Sequence, residues 1–217
     1  MPQAVKRVTF SDKNMMYYTM SPTPSPTFSD SSLPSVGGPK TPPSPHSPLL
    51  PLPSGLVEIN RSLGFHPHSP KLLYDLSLSW EAVTTNTSPP VAISKAALLE
   101  PATNPPTAYL QIQCPNLPWQ LGIVCKTSHY VTILDVLAQL YSFLRLTVSE
   151  KEFNFETAES QREITTAFRQ RVSRDPWSAS VEEKKGLKRI DFLKGHNRFM
   201  GLSSTKLGPD MWTLNVR

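Results

Sequence analysis

Apolar and polar positions recur along the chain with a period that shifts from two to that of a helix and back. Leu72, Tyr74, Leu76 and Leu78 share one side at period two, which predicts a half-buried strand across Leu72 to Leu78. Tyr109 to Cys114 and Trp119 to Cys125 are two further strand-like runs, and Pro115-Asn116-Leu117-Pro118 between them predicts a hairpin. Ile133, Val136, Leu137, Leu140, Tyr141 and Leu144 then fall at helical spacing, the buried stripe of an amphipathic helix of about three and a half turns. Its start is signalled by Thr132 as N-cap, Asp135 at the third helical position, and Val131 and Val136 as a hydrophobic staple. Ser149 and Glu152 make a second capping box with Val148 and Phe153 as its staple. A third helix is expected from Ala158 to Arg174, burying Ile164, Phe168 and Val172 and stopping before Asp175-Pro176.

The end of the chain returns to strand-like runs. Leu187 to Leu193 and Arg198 to Leu202 flank a turn at Lys194-Gly195-His196-Asn197, and Trp212, Leu214 and Val216 alternate within Met211 to Val216. Strands first, helices in the middle and strands last predict an α+β domain, a mostly antiparallel sheet with two or three helices on one face.

Composition divides the chain into two parts. The first 70 residues hold 14 of the 23 prolines and 12 serines, whereas Trp80, Trp119, Trp177 and Trp212 all lie beyond them. Proline donates no backbone hydrogen bond and biases its predecessor towards extended conformations. Few large apolar side chains are present there to offset the entropy of ordering. The expectation is a disordered Pro/Ser-rich tail over 1–55 and one compact domain over 56–217.

The first 70 residues carry seven Ser-Pro or Thr-Pro pairs, at Ser21, Thr23, Ser25, Thr41, Ser44, Ser47 and Ser69. Each is a candidate acceptor for proline-directed kinases, although a Pro/Ser-rich composition generates such pairs by itself. One phosphorylation adds about −1.5 to −2 charges, so a few would invert the tail's small positive charge. Lys6-Arg7-Val8-Thr9-Phe10 breaks the pattern, because it sets two apolar side chains two positions apart behind a basic pair. In an extended peptide both point the same way, so Val8 and Phe10 can enter adjacent pockets while the backbone adds to a sheet edge. The spacing of Arg7, Val8 and Phe10 resembles the motif by which regulatory subunits dock on protein phosphatase one. Thr9 fills the variable position and follows the basic pair, so its phosphorylation is expected to switch docking off.

The domain also carries a resemblance. Its segments are Tyr74-Asp75-Leu76-Ser77, Ala102 to Pro106, Leu117-Pro118-Trp119, Val131 to Leu137, Leu140 to Arg145, Lys185 to Leu193, Arg198 to Leu202 and Gly208 to Trp212. Through them, essentially all of 56–217 resembles a domain-of-unknown-function family abundant in mushroom-forming basidiomycete fungi. Tails with an Arg-Val-x-Phe-Ser segment and Pro/Ser-rich sequence accompany that family. The resemblance implies no catalytic residue and no ligand.

Charge and cysteine content narrow the function classes. Twenty-two basic against 17 acidic side chains give +5, with the signs interspersed, so nucleic acid is not indicated. Cys114 and Cys125 are the two cysteines, the start lacks the roughly 7–15-residue apolar stretch of a secretory signal, and no run of about 18 apolar residues occurs. A soluble chain in the cytoplasm or nucleus is expected, and the sequons at Asn60 and Asn86 are then chance matches. Cys114, Cys125 and His129 with Asp135 are the candidates for a nucleophile and its base, but cysteines in apolar runs are ordinarily small buried hydrophobes. His66 and His68 lack the partners of a zinc site, and no Gly-rich phosphate loop occurs, so neither metal nor cofactor is expected. Lys184, Lys185, Lys188 and Arg189 form a basic cluster, read as a solvated face because Glu182 and Glu183 precede it. Asp75, Asp191 and Asp210 are candidate acids or bases; a turn explains Asp210, and backbone contacts or an arginine such as Arg198 explain the others. The leading expectation is a non-enzymatic protein-interaction module. The alternatives are an enzyme using these aspartates, Arg198 or His129, and a nucleic-acid-binding domain.

Overall fold

The computed structural model describes residues 57–126, 128–175, 177 and 179–217. Arg7, Val8, Thr9, Phe10, Ser21, Thr23, Ser25, Thr41, Ser44 and Ser47 lie outside the described residues. The strands are β1 (Glu58–Ile59), β2 (Leu72–Leu73), β3 (Thr84–Thr85), β4 (Val91–Ala92), β5 (Thr103–Asn104), β6 (Tyr109–Gln113), β7 (Gln120–Val124), β8 (Phe199–Thr205) and β9 (Gly208–Val216). The helices are α1 (Lys95–Leu98), α2 (Ile133–Leu144), α3 (Glu150–Asn154), α4 (Ala158–Ser173) and α5 (Ala179–Lys185), with 3-10 turns at Trp80–Ala82 and Arg189–Leu193. The domain is α+β. Its main sheet has the order β7-β6-β9-β8, antiparallel except where β6 and β9 run parallel. The small sheets β1-β5 and β2-β3-β4 are antiparallel throughout.

The expected hairpin is β6 and β7, in register from Tyr109 opposite Val124 to Gln113 opposite Gln120. Leu110, Ile112, Leu121, Ile123, Trp212 and Leu214 point from the sheet into the core. They meet Val136, Leu137, Leu140 and Leu144 of α2 in a single cluster. Fully burying a Leu, Ile or Val side chain contributes about 1.5–3 kcal/mol, so this cluster is the main stabilising mass of the fold. The other sheet face carries Tyr109, Gln111, Gln113, Thr213 and Asn215, exposed or half-buried.

Both capping boxes are formed. Asp135 N–H donates to Thr132 Oγ1 (3.1 Å) and Thr132 N–H to Asp135 Oδ2 (3.0 Å), while Ser149 N–H donates to Glu152 Oε2 (2.8 Å). Val131 and Val136 are wholly buried at the staple position. α4 ends at Ser173, with Thr157 as its N-cap.

Two strands expected from alternation are different. Across Leu72 to Leu78 only Leu72–Leu73 is strand, because Asp75 Oδ1 accepts the Ser77 N–H (2.8 Å) and turns the chain. Leu72, Tyr74 and Leu76 are buried as expected, but Leu78 is 44% exposed. Within Leu187 to Leu193 the chain forms a 3-10 turn, Arg189–Leu193, rather than a strand. Leu187, Ile190, Phe192 and Leu193 are all buried, so the run is covered on more than one side and its alternation does not report a pleat. Asp191 closes the turn by accepting the Lys188 N–H (2.9 Å). Asp210 lies within β9; the turn that precedes this strand falls at Lys206–Leu207. Among the described residues there are five helices, two of them of only four and five residues, where two or three were expected.

Candidate functional site

Four separate segments of the chain meet around Ser77. Arg145 at the end of α2 donates from NH2 to the Ser77 carbonyl, and Arg174 at the end of α4 donates from NH1 to the Ser77 hydroxyl. Arg174 also lies 3.9 Å from Asp75 Oδ2. The Asp75 backbone bridges to that of Arg198. Ser77, Arg171, Arg174, Ile190, Asp191 and Asn197 line a cavity of about 30 Å³, room for one water molecule. The segments Tyr74–Ser77, Leu140–Arg145, Lys185–Leu193 and Arg198–Leu202, separate in sequence, are thus neighbours in the fold.

One wall of this cavity is a buried ion network. Arg171 grips Asp191 with two parallel hydrogen bonds, Nε to Oδ1 (2.8 Å) and NH2 to Oδ2 (2.9 Å). NH1 reaches Glu182 Oε2 (2.7 Å) and NH2 the Gly186 carbonyl (3.0 Å). The Asp191 side chain is 2% exposed and that of Arg171 12%. Lys188 Nζ adds a bond to Glu182 Oε2 (2.6 Å). Burial pushes the Glu182 carboxyl up, but hydrogen bonds from Lys185 and Lys188 outweigh it and hold the group at about 2. Burial also lowers Lys188, more than its partner Glu182 raises it.

A carboxyl held below its unfolded value stabilises the fold above that value, and the contribution disappears as pH falls through the folded one. For Glu182 the window runs from its ordinary 4.5 down to about 2. Thermal melts followed by circular dichroism are therefore expected to show a smaller fall in Tm across this window for Glu182→Gln than for wild type. An identical fall would remove Glu182 from the acid response.

A second concavity, of about 320 Å³, opens between the β6–β7 turn and the start of α4. Pro115, Leu117, Pro118 and Phe192 supply its apolar walls, and Asn116, Glu156, Ser160 and Lys194 its polar groups. Beside it, Trp119 packs edge-on against Phe192 (4.9 Å between centroids) and donates Nε1–H to Glu152 Oε1 (2.7 Å). The Arg189 guanidinium lies over the rings of both Trp119 (4.7 Å) and Phe143 (4.4 Å), contacts worth about 0.5–1 kcal/mol each when exposed and about 2 kcal/mol when desolvated. Burial raises Glu152, but Ser149, Trp119 and Arg189 together hold it below the ordinary carboxylate value.

The residues singled out from sequence are placed as follows. Asp75 and Asp191 border the same region, but Asp191 is committed to Arg171 rather than Arg198. Asp210 and His129 are exposed elsewhere on the surface. Asp135 accepts both the N–H and the hydroxyl of Thr132 (3.0 and 2.8 Å), so its carboxylate is occupied by capping and does not orient His129. Cys114 is buried, which pushes its thiol up; Cys125 is half-buried. The basic cluster is only partly a solvated face: Lys184 and Lys185 are exposed, whereas Lys188 and Arg189 turn inward. His66 accepts the Ser69 N–H at Nδ1 (2.8 Å), and no group of three or more His, Cys, Asp or Glu side chains suited to a metal ion occurs among the described residues. The sequon amides serve structure: Asn60 Nδ2 donates to the Pro101 carbonyl (3.0 Å) and Asn86 Nδ2 to that of Pro70 (2.9 Å). No helix among the described residues is long and apolar enough to cross a membrane.

Arg145, Arg171 and Arg174 escaped the sequence reading. For Arg171 a signal exists, since it continues the Ile164, Phe168 stripe of α4 at position i+7 and thus faces inward. The 320 Å³ concavity has no such signal, because Pro115–Pro118 reads simply as a connection.

No curated protein and no solved structure matches the chain. The family of unknown function DUF6699 matches residues 72–210, which include the arginine-bound Ser77 turn, the buried ion network and the concavity; the chain belongs to this family.

Proposed function

We propose that the chain is a non-enzymatic protein-interaction module, whose N-terminal Arg7, Val8 and Phe10 recruit protein phosphatase one. The observation that carries the interaction reading is the exposure of Phe155 and Trp177, which are 90% and 95% accessible. Exposed aromatic side chains are common anchors of protein interfaces. The commitment of Asp191, Glu182 and Asp135 to ion pairs and caps supports the same reading, since an acid or base in catalysis must be able to reach a substrate proton. Proline-directed phosphorylation of the tail is the regulatory input in this proposal, and Thr9 phosphorylation releases the phosphatase. Cytoplasm or nucleus is the compartment that suits both.

The resemblance to a family abundant in mushroom-forming fungi makes a lysate of such a fungus the appropriate source of partners. Wild-type chain and Val8→Ala/Phe10→Ala are each used as bait, with capture read by quantitative mass spectrometry. A phosphatase catalytic subunit captured by wild type and lost from the double variant is the expected result. Equal capture by both, or by neither, retires the phosphatase assignment.

A further inference from the structure

We propose that the groove between the 115–118 turn and the start of α4 holds the chain's own Lys6–Phe10 segment. At about 320 Å³ it lies at the lower end of the range of ligand sites, roughly 300–1,000 Å³. Its apolar walls, Pro115, Leu117, Pro118 and Phe192, suit aliphatic and aromatic side chains such as Val8 and Phe10. In an extended peptide these two project from one side, while Lys6 and Arg7 precede them.

Charge selects this segment. The Lys194 ammonium at the groove is matched by Glu163 (2.8 Å). The Glu156 carboxylate accepts the short hydroxyl bond from Ser160 (2.6 Å), and no cation among the described residues forms an ion pair with it. Residues 150–163 contain five acids, Glu150, Glu152, Glu156, Glu159 and Glu163, against Lys151 and Arg162, in a chain whose net charge is +5. A basic peptide with two apolar anchors therefore complements this groove, and Lys6-Arg7-Val8-Thr9-Phe10 has that composition.

Tether length favours the chain's own segment over a second copy's. Residues 11–56 separate Phe10 from the first described residue, Val57, which is 46 residues. Even as a flexible coil they span on the order of 37 Å, comparable to the roughly 30–40 Å diameter of a domain of this size. A linker matched to its span gives an effective concentration in the millimolar range, far above a second copy at micromolar concentration. The consequence rests on the phosphatase reading: a docked segment is hidden, so the domain masks its own recruitment motif until the groove is vacated.

Hydrogen–deuterium exchange on the full chain tests this. Val8→Ala/Phe10→Ala and, separately, Glu156→Lys are expected to speed exchange at Asn116, Leu117 and 156–161 by roughly tenfold, as for a tethered segment on a site with Kd near 0.1 mM. Adding a synthetic peptide of residues 1–15 to the double variant should restore protection there. Melting temperatures within a few degrees of wild type establish that the variants are folded. Unchanged exchange in both variants overturns the proposal, as does protection that appears only when protein concentration is raised, which assigns the groove to a second copy. Phosphatase capture measured in parallel separates the two readings. Capture dependent on Val8 and Phe10 with unchanged exchange retires the groove alone; faster exchange without capture leaves the groove and retires the phosphatase.

Discussion

Arg171→Ala is expected to destabilise the domain by about 3–5 kcal/mol, the range found when one partner of a buried ion pair is removed. The size follows from what is left behind rather than from what is lost. Asp191, 2% exposed, would keep its charge with only the Lys188 N–H as a donor, and an uncompensated buried carboxylate must either pull in water or take up a proton. The Gly186 carbonyl loses its side-chain donor and Glu182 one of its cations in the same step. These contacts tie α4 to the 189–193 turn and to α5, so the damage concentrates where three elements join. Arg171→Lys should recover only part of the loss, because an ammonium cannot reproduce the two parallel bonds to Asp191. The double substitution Arg171→Met/Asp191→Leu should cost less than Arg171→Ala alone, since removing both charges of a buried pair is often close to neutral. Urea unfolding of the four chains gives the comparison. A loss under about 1 kcal/mol for Arg171→Ala would show that the network is solvated.

What sequence could and could not reveal follows from the range of the interactions involved. The capping boxes at Thr132 and Ser149 are contacts between residues three apart, so the pattern alone located them, as it did the hairpin at Pro115–Pro118. The α+β class was legible for the same reason, from the order of local periods. The run Leu187 to Leu193 misled because periodicity reports the face of a half-buried strand and carries little information where every side is covered. Asp191 within that apolar run signals the need for a partner, but the partner lies 20 positions away, and local pattern does not choose among the arginines. The parallel pairing of β6 with β9 joins Gln111 to Met211 across 100 residues and leaves no local trace. The groove at Leu117 and Phe192 is likewise a meeting of distant segments.

Gly201→Ala is expected to prevent stable folding or to cost several kcal/mol, with the largest part arising from backbone contact. Gly201 has φ +108° and sits at a β-bulge where β8 passes from Phe199 to Leu202. Holding an L side chain at such a φ costs about 1–3 kcal/mol. A Cβ there would also lie 2.4 Å from the Gly64 carbonyl oxygen and 2.6 Å from Phe65 Cα. Those atoms belong to backbone that cannot swing aside as a side-chain tip can. The segment they form covers the outer edge of β8: Leu202 N–H donates to the Leu63 carbonyl (2.7 Å), Phe65 N–H to Leu202 (2.9 Å) and His66 N–H to Met200 (3.1 Å). To admit a methyl group this segment must lift, and lifting it opens a sheet edge, the kind of surface on which chains pair with one another. The variant is thus expected to be both less stable and more prone to associate. Gly64→Ala provides the contrast, because a Cβ at that position meets nothing closer than 3.6 Å, and its cost should stay below about 1 kcal/mol. Soluble yield, thermal melts and size-exclusion chromatography on the two variants make the comparison. A Gly201→Ala chain that melts with wild type as a monodisperse species would mean that β8 and the 63–66 segment are not held together in solution as they are in this fold.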